Sequence, residues 1–276
     1  MEKKNNKFLS NPGFMIFAFL ALVIILGSVC APLICHGVDP TEGELADAIM
    51  APSEEHPFGT DKMGRDIFAR VIYGSRTSLV STFSLVLTIF VIGTFLGILA
   101  GYFGGWVDAV IMRIADMMIA FPGLVLAIAV AGMLGASTKN AIIAISVVSW
   151  PKYARLARSL VMKIRHTDFV AAAQVTGSRT PYMLWKYMLP NTITTLVITA
   201  ATDIGSMMME LAALSFLGFG AQPPTPEWGS MLNEGRNFMQ SAPWMMIYPG
   251  LAIFITVVIF NMLGDNLRDI LDPKTE

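Results

Sequence analysis

The sequence predicts an all-α membrane protein. Hydrophobic residues make up 54% of its 276 residues and charged residues only 14%, whereas a soluble domain carries about 25% charged residues. The charges also leave long uncharged runs, and a run of about 20 apolar residues is enough for a helix to cross a bilayer. The net charge of −1 gives no basic excess of the kind that nucleic-acid binding requires, so no nucleic-acid partner is expected.

Six runs with few charges are candidate transmembrane helices. The first has its core at Gly13–Cys35 and is too long for the apolar part of a cleaved signal, so we interpret it as a retained span. The fourth is the weakest, because only the 12 residues of Asn140–Pro151 are free of charge. Lys152, Arg155 and Arg158 follow at helical spacing, and their long side chains are able to snorkel while the helix continues. The other runs are Ser78–Gly101, the segment between Asp116 and Lys139, Asn191–Leu217 and Met246–Leu263.

The distribution of lysine and arginine bears on the orientation of these spans. Six spans with the amino terminus inside place 13 basic residues inside and 6 outside, in agreement with the positive-inside rule. A chain of five spans that lacks the fourth, in the opposite orientation, places 14 inside and 5 outside. Charge counting therefore leaves both arrangements open.

The sequence lacks the common motifs of catalysis. It contains no phosphate-binding loop of the G-x-x-x-x-G-K-[ST] type, so it is not expected to bind ATP in that way. It also contains no H-E-x-x-H or Ser-His-Asp arrangement. The segments between the spans are too short for an independent domain. The scattered His36, His56 and His166 are interpreted as solvated surface residues.

The loop after the fourth span contains a short predicted helix. Its sequence is Arg165-His-Thr-Asp-Phe-Val-Ala-Ala-Ala-Gln-Val-Thr-Gly177. The hydroxyl of Thr167 is expected to cap this helix, and Asp168 suits the positive first turn. Gly177 is expected to end it, because glycine accepts a positive φ. Helix is expected to restart at Thr180-Pro181, and Pro190 to mark the entry into the fifth span.

Several segments resemble one family of permeases. The spacing of Ala171, Gly177 and Leu189-Pro190 is similar to the E-A-A…G…L-P loop of ABC importer permeases. Gly59–Asp66 resembles the G-T-D-x-x-G-R-D segment of the second permease in dipeptide, oligopeptide and nickel importers. The further similar segments are Trp150–Arg158, Leu214–Gly220, Gln222–Gly229 and Phe260–Pro273. The sequence is thus identified as a member of this group. The resemblance implies the type I ABC importer permease fold, six spans with both termini in the cytoplasm, and a place in the bacterial inner membrane.

The resemblance also implies partners. A homologous permease would form the other half of the pathway, two ATPase subunits would bind ATP and magnesium, and an external binding protein would select the substrate. This chain would have no catalytic residue, cofactor or metal of its own. We divide it into residues 1–77, an N-terminal span and external segment, and residues 78–276, the core permease domain.

In this family the loop forms a coupling helix that docks in a groove of the ATPase. The residues that the resemblance assigns to this loop are Asp168, Phe169, Val170, Ala171, Ala172, Ala173, Gly177, Leu189 and Pro190. The glutamate usual in the motif is Ala171 here, so its charged contact is lost. Docking is then expected to depend on Asp168, Phe169 and the loop backbone.

Asp203 and Glu210 are the only acids deep in a predicted span. Seven residues correspond to about two helical turns, so the two share a face, and acids within a membrane usually face a bundle interior or a pathway. We interpret them as a wall that attracts the cationic part of a substrate. The alternative is that they pair with structural partners in a neighbouring subunit. The intervening Met207, Met208 and Met209 are interpreted as apolar filler, since successive side chains point about 100° apart.

Two other functions compete with this interpretation. A stand-alone secondary transporter often shows inverted repeats, and we find no convincing internal repeat. An intramembrane enzyme needs paired catalytic residues, and Asp203 and Glu210 are on the order of 10 Å apart along the helix, which is poor for joint acid–base work. The sequence does not determine whether the substrate is a peptide or a nickel or other metal chelate.

Overall fold

The computed structural model describes residues 11–271, which form a bundle of helices. In this range β-structure is limited to one isolated bridge between Thr60 and Asp66. The three N-terminal lysines and Pro273, which entered the arguments on orientation and resemblance, lie outside the described residues. The helices are α1 (Pro12–Val29), α2 (Ala31–Ile34), α3 (Ile67–Phe103), α4 (Gly105–Ile119), α5 (Gly123–Leu134), α6 (Thr138–Arg165), α7 (Asp168–Val175), α8 (Thr180–Met183), α9 (Leu189–Phe216), α10 (Trp228–Gly235) and α11 (Trp244–Leu271).

Four helices in the described range are long and apolar enough to cross a membrane, namely α1, α3, the continuous α8–α9 helix and α11. Helices α4 and α5 together would supply one more span, but they are bent by 94° where they meet. Pro122 lies at this bend and immediately precedes α5, where its missing N–H costs nothing. The predicted third span is therefore broken. α5 has only 12 residues, or about 18 Å of helix.

The weak fourth span lies within α6, a helix of 28 residues that continues through Pro151. Its charges keep α6 out of the set of helices that qualify as spans by length and composition. It nevertheless packs closely along α3. Gly93, Gly97 and Gly101 of α3 face it at intervals of four residues, and a Cβ on Gly97 would lie 2.3 Å from the carbonyl oxygen of Ala154. Small residues of this kind let two helix backbones approach each other.

α3 runs without interruption from Ile67 to Phe103. The predicted second span, Ser78–Gly101, is contained within it. The division that we placed after residue 77 falls inside this helix, so α3 belongs both to the external segment and to the core.

A π-helical segment, Leu184–Met188, joins α8 to α9. Pro190 has no N–H to donate to the carbonyl of Lys186, and its ring would clash with that carbonyl in a regular helix. The wider π turn relieves the clash, and the side chain of Asn191 donates to the carbonyl of Tyr187 at 2.6 Å. Pro190 therefore marks an irregularity within a continuous helix at the predicted entry to the fifth span.

Residues 36–66 are held to α3 and α10 by four buried charges. Arg65 donates to Asp61 at 2.7 Å and to Glu234 at 2.8 Å, and Arg70 donates to Glu234 at 2.7 Å. None of the four side chains is more than 8% exposed. Opposite charges in direct contact offset part of the cost of removing each from water. Asp61 and Arg65 belong to the G-T-D-x-x-G-R-D segment, to which the sequence analysis gave no structural role.

Glu227 begins α10 and joins it to α3. Its carboxylate accepts hydrogen bonds from the N–H groups of Gly229 at 2.8 Å and Ser230 at 2.9 Å, and from the hydroxyl of Ser78 on α3 at 3.3 Å. Burial raises the pKa of the Glu227 carboxyl, and the bonds from Gly229 and Ser230 oppose this rise. A carboxylate that caps a helix start in this way fixes the orientation of α10.

One histidine differs from the prediction of a solvated surface residue. The Nδ1 atom of His56 lies 2.9 Å from Oδ2 of Asp66, and the His56 side chain is only 18% exposed. Asp66 also accepts a hydrogen bond from the N–H of Ala69 and so caps α3. His36 and His166 are exposed, as predicted.

Candidate coupling helix and candidate pathway cavity

The predicted loop helix is present as α7, and it ends as predicted. Gly177 has a φ of +79°. Its N–H donates to the carbonyl of Gln174 at 3.0 Å, and the N–H of Ser178 donates to the carbonyl of Ala173 at 3.1 Å. These bonds form a Schellman motif. Among the described residues nothing lies within 4 Å of a Cβ built on Gly177, so the backbone conformation, and not lack of space, is what requires glycine.

The start of α7 differs from the prediction. Thr167 precedes the helix with an extended backbone, but its hydroxyl donates to the carbonyl of Ile164 at 2.6 Å. The hydroxyl therefore closes the end of α6 instead of capping α7. Asp168 lies in the first turn of α7, as predicted, where the helix dipole favours a carboxylate.

α7 is anchored on one face and open on the other. Val170 is fully buried and Ala173 is 6% exposed, whereas Phe169 is 46% and Val175 89% exposed. The Phe169 ring has its centroid 6.2 Å from that of Tyr187. The exposed residues of the predicted loop are Asp168, Phe169, Ala171, Ala172, Gly177 and Pro190. The open face is thus largely apolar, edged by one carboxylate and left uncovered by the described chain.

Two aromatic residues missed by the sequence analysis lie in the segment after α7. Trp185 is 72% and Tyr182 is 50% exposed. The available signal was their spacing of three residues in the helix expected to restart at Thr180-Pro181, because side chains three residues apart are neighbours on a helix surface. Leu189, by contrast, is partly buried against the core.

Asp203 is buried and paired within the chain. It is 6% exposed, and its two oxygens accept from Nζ of Lys152 at 2.6 and 2.8 Å. The hydroxyl of Tyr153 donates to the same carboxylate at 3.0 Å. The partner that we considered in a neighbouring subunit is therefore present on α6 of the same chain, and the contact ties α6 to α9.

Two further basic residues of α6 pair with acids of α4. Nη2 of Arg155 lies 2.5 Å from Oδ1 of Asp116, and Arg158 donates to Asp108 through two nitrogens. These side chains thus connect two helices, whereas the sequence analysis expected them to snorkel. Their helical spacing was visible in the sequence, but their partners, 39 and 50 residues away, were not.

Glu210 lines an open cavity of about 410 Å³ between α5, α6 and α9. Its polar wall consists of Ser149 and Lys152 from α6 and Ser206 and Glu210 from α9. The rest of the wall is largely apolar and includes Met118, Ile119, Phe121, Val148 and Met207. Asp203 is not part of this wall. The two acids predicted to share a face therefore have different surroundings, since Glu210 faces the cavity and Asp203 lies against Lys152.

Metal-ligating side chains do not gather at this place. Within residues 11–271 no three His, Cys, Asp or Glu side chains are arranged to hold a metal ion. Met207 and Met208 are buried and Met209 is 52% exposed. Of the three, Met207 alone lines the cavity, so they do not line it together, as predicted from their spacing.

Sequence comparison relates the chain to known transport proteins. Residues 93–276 match the family described as binding-protein-dependent transport system inner membrane component. The dipeptide transport system permease protein DppC of Alkalihalophilus pseudofirmus is 45% identical over 261 residues, covering 93% of this chain and 86% of that protein. DppC of Haemophilus influenzae is 42% identical over 273 residues, covering 97% and 92%. The glutathione transport system permease protein GsiD of Pectobacterium atrosepticum is 46% identical over 223 residues, covering 81% and 74%.

Solved structures with a similar fold are also transport proteins. A chain of the MetNI methionine ABC transporter in an inward-facing conformation superposes with a TM-score of 0.59 at 19% identity, over 74% of this chain and 97% of that one. A chain of an amino acid ABC transporter with histidines gives a TM-score of 0.55 at 16% identity, over 72% and 92%. At these identities the likeness concerns the fold alone.

Proposed function

Because the chain belongs to the family of binding-protein-dependent transport system inner membrane components, we propose that it forms half of the translocation pathway of a bacterial importer of small peptides. The chain is a permease subunit of an ABC importer, and its fold is the predicted type I importer permease fold. It is a multi-pass membrane protein and a transport subunit rather than an enzyme. The observation that carries this conclusion is the 42% identity to a dipeptide permease over 97% of the chain. The alternative of a stand-alone secondary transporter is not supported.

The relatives favour a peptide over a nickel substrate. Those described above are named for dipeptide and for glutathione transport. Both substrates are small peptides with ionised groups at their ends, whereas a nickel substrate is a metal complex. The cavity that contains Lys152 and Glu210 offers charges of both signs, which suits such a peptide.

The coupling role belongs to α7 in this proposal. Its open face carries Phe169 and Val175, which are available to an ATPase subunit. Val170 and Ala173 attach the opposite face to the core that includes residues of α6 and α9. A movement of the ATPase subunit that displaces α7 is therefore transmitted to α6 and α9, which line the cavity.

The partners and the orientation follow from the same assignment. A homologous permease completes the pathway, two ATPase subunits bind ATP and magnesium, and a binding protein delivers the peptide from outside. Both termini and α7 lie in the cytoplasm, while residues 36–66 and α10 lie outside. The seven lysines and arginines between Lys152 and Lys186 support this orientation.

Substrate-stimulated ATP hydrolysis tests the proposal. The permease is purified with its partner permease and ATPase subunits, placed in lipid vesicles, and mixed with the binding protein and either Ala-Ala or a nickel salt. We expect hydrolysis to rise with Ala-Ala and to stay at its basal rate with nickel. Stimulation by nickel alone would reject the peptide assignment.

A further inference from the structure

We propose that the cavity between α5, α6 and α9 is a transient binding site for a peptide with free termini, in which Glu210 binds the ammonium group and Lys152 binds the carboxylate. The inference rests on the proposed function, peptide import, and names the groups in this chain that recognise the substrate. It assigns different tasks to the two acids of α9. Glu210 contacts the peptide, and Asp203 positions Lys152.

Glu210 is accessible from the cavity and is suited to bind a cationic ligand. Its side chain is exposed at the cavity, and within residues 11–271 it makes no hydrogen bond or ion pair. An ionised side chain at membrane depth is costly unless it faces water or a partner. The ammonium group at one end of a peptide carries three N–H donors and meets this requirement.

Lys152 offers the complementary group. Its side chain is 60% exposed and lines the same cavity. An ammonium has three donors, of which Asp203 takes two through its two oxygens. The third is left for a carboxylate in the cavity. Because the charge of Lys152 is already balanced by Asp203, this contact is weak, as a pathway from which the substrate must leave requires.

The size of the cavity agrees with a small peptide. Its volume of about 410 Å³ lies in the range of about 300–1,000 Å³ that is typical of small-molecule sites. The largely apolar wall that includes Phe121, Val148 and Met207 accepts side chains of different shape without specific bonds.

Protection of an introduced thiol measures occupancy without the binding protein, which has its own specificity. In a variant without Cys30 and Cys35, Ser206→Cys places a thiol in the cavity wall of the purified permease–ATPase complex. We expect Ala-Ala to slow alkylation of this thiol. N-acetyl-Ala-Ala and Ala-Ala amide, each lacking one terminal charge, should need about tenfold higher concentrations, which corresponds to the loss of one charge-assisted hydrogen bond.

Variants of Glu210 and Lys152 test which residue binds each end of the peptide. With Glu210→Gln added, Ala-Ala and N-acetyl-Ala-Ala should protect equally weakly, whereas Glu55→Gln, a change at an exposed external carboxylate, should keep the difference. The double variant Lys152→Met/Asp203→Asn removes the ion pair without leaving a buried charge alone, and it should lose the preference for Ala-Ala over Ala-Ala amide.

The outcomes separate this site from the proposed function. If the intact importer takes up Ala-Ala but free and blocked peptides protect the thiol equally, the site is wrong and the function stands. The site is equally rejected if Glu210→Gln keeps the preference for a free amino terminus. If the importer with its binding protein takes up no peptide, both proposals fail.

Discussion

Gly177 determines how α7 ends, and it does so through its backbone alone. Its φ of +79° is strained for a residue with a Cβ, and most strained for a β-branched one. We expect Gly177→Val to cost about 1 kcal/mol or more in the local fold and to reduce the amount of ATPase that co-purifies with the permease. The measurement is the ATPase-to-permease ratio after purification.

Gly177→Asn is the matched control, because asparagine adopts positive φ more readily than other side chains and the space around Gly177 is open. It should retain more ATPase than Gly177→Val. Equal retention in the two variants would mean that the positive φ has no part in coupling.

Arg70 is the most buried of the four charged residues that hold residues 36–66 to α3 and α10, with 1% of its side chain exposed. Arg70→Met leaves Glu234 with one fewer cationic partner, and breaking a buried ion pair costs about 3–5 kcal/mol. We therefore expect a clear drop in the thermal unfolding temperature of the detergent-solubilised protein. Arg236→Met, at an exposed position, should leave it nearly unchanged. An unaltered melting temperature in Arg70→Met would show that the cluster does not stabilise the fold.

Individual residues could be predicted where the cause is local. Gly177 was found because a helix end needs a positive φ within a few residues. Thr167 was misjudged because its hydroxyl has a carbonyl of α6 within reach as well as the N–H groups of α7, and the sequence does not indicate which it bonds. The contact of Arg65 with Glu234 joins residues 169 positions apart, and no local pattern reveals such a pair.

At the scale of the element, α7 is expected to act as a docking surface. Phe169 is 46% exposed, so Phe169→Ala should change the stability of the permease little. Burying the exposed part of the ring in an ATPase groove would contribute about 1 kcal/mol, and we expect the affinity for the ATPase to fall roughly five- to tenfold. Titration of purified ATPase onto permease in nanodiscs measures this.

Ala171→Glu is the companion variant, since Ala171 is exposed and the related loops usually have glutamate there. It should bind the ATPase at least as well as the unmodified chain. Unchanged affinity in Phe169→Ala would remove this ring from the docking surface.

Helices were predicted well where a run of apolar residues is enough to define them, and poorly where contacts with a neighbouring helix determine their course. The second and sixth runs lie within α3 and α11, and the fifth ends one residue beyond α9. The first extends past the end of α1, through Cys30 and α2 to Cys35. The 94° bend between α4 and α5 was missed because the uncharged run continues through Pro122. α6 was the least certain span because its charges looked unfavourable. They are compensated by Asp108, Asp116 and Asp203 on other helices, which only the tertiary structure brings near.

For the whole molecule, the orientation in the membrane is open to a direct test. Asp61 is buried, so its exposed neighbour Lys62 is the better position at which to test the proposed external side. Arg179, which is also exposed, tests the proposed cytoplasmic side. In a variant without the native cysteines, Lys62→Cys should react with an impermeant maleimide on intact cells. Arg179→Cys should react only after permeabilisation. Labelling of both positions on intact cells would contradict the orientation with α7 inside.

ATP-driven peptide uptake tests the central claim most directly. The complex of this permease, its partner permease and its ATPase subunits is placed in vesicles with ATP and magnesium on the ATPase side and binding protein with labelled Ala-Ala on the other. We expect the peptide to accumulate inside the compartment that contains the ATPase, only with hydrolysable ATP and only with the binding protein. Accumulation that proceeds without ATP or without the ATPase subunits, or no accumulation of any peptide by an assembled and hydrolysing complex, would contradict the assignment of this chain as the permease of a peptide importer.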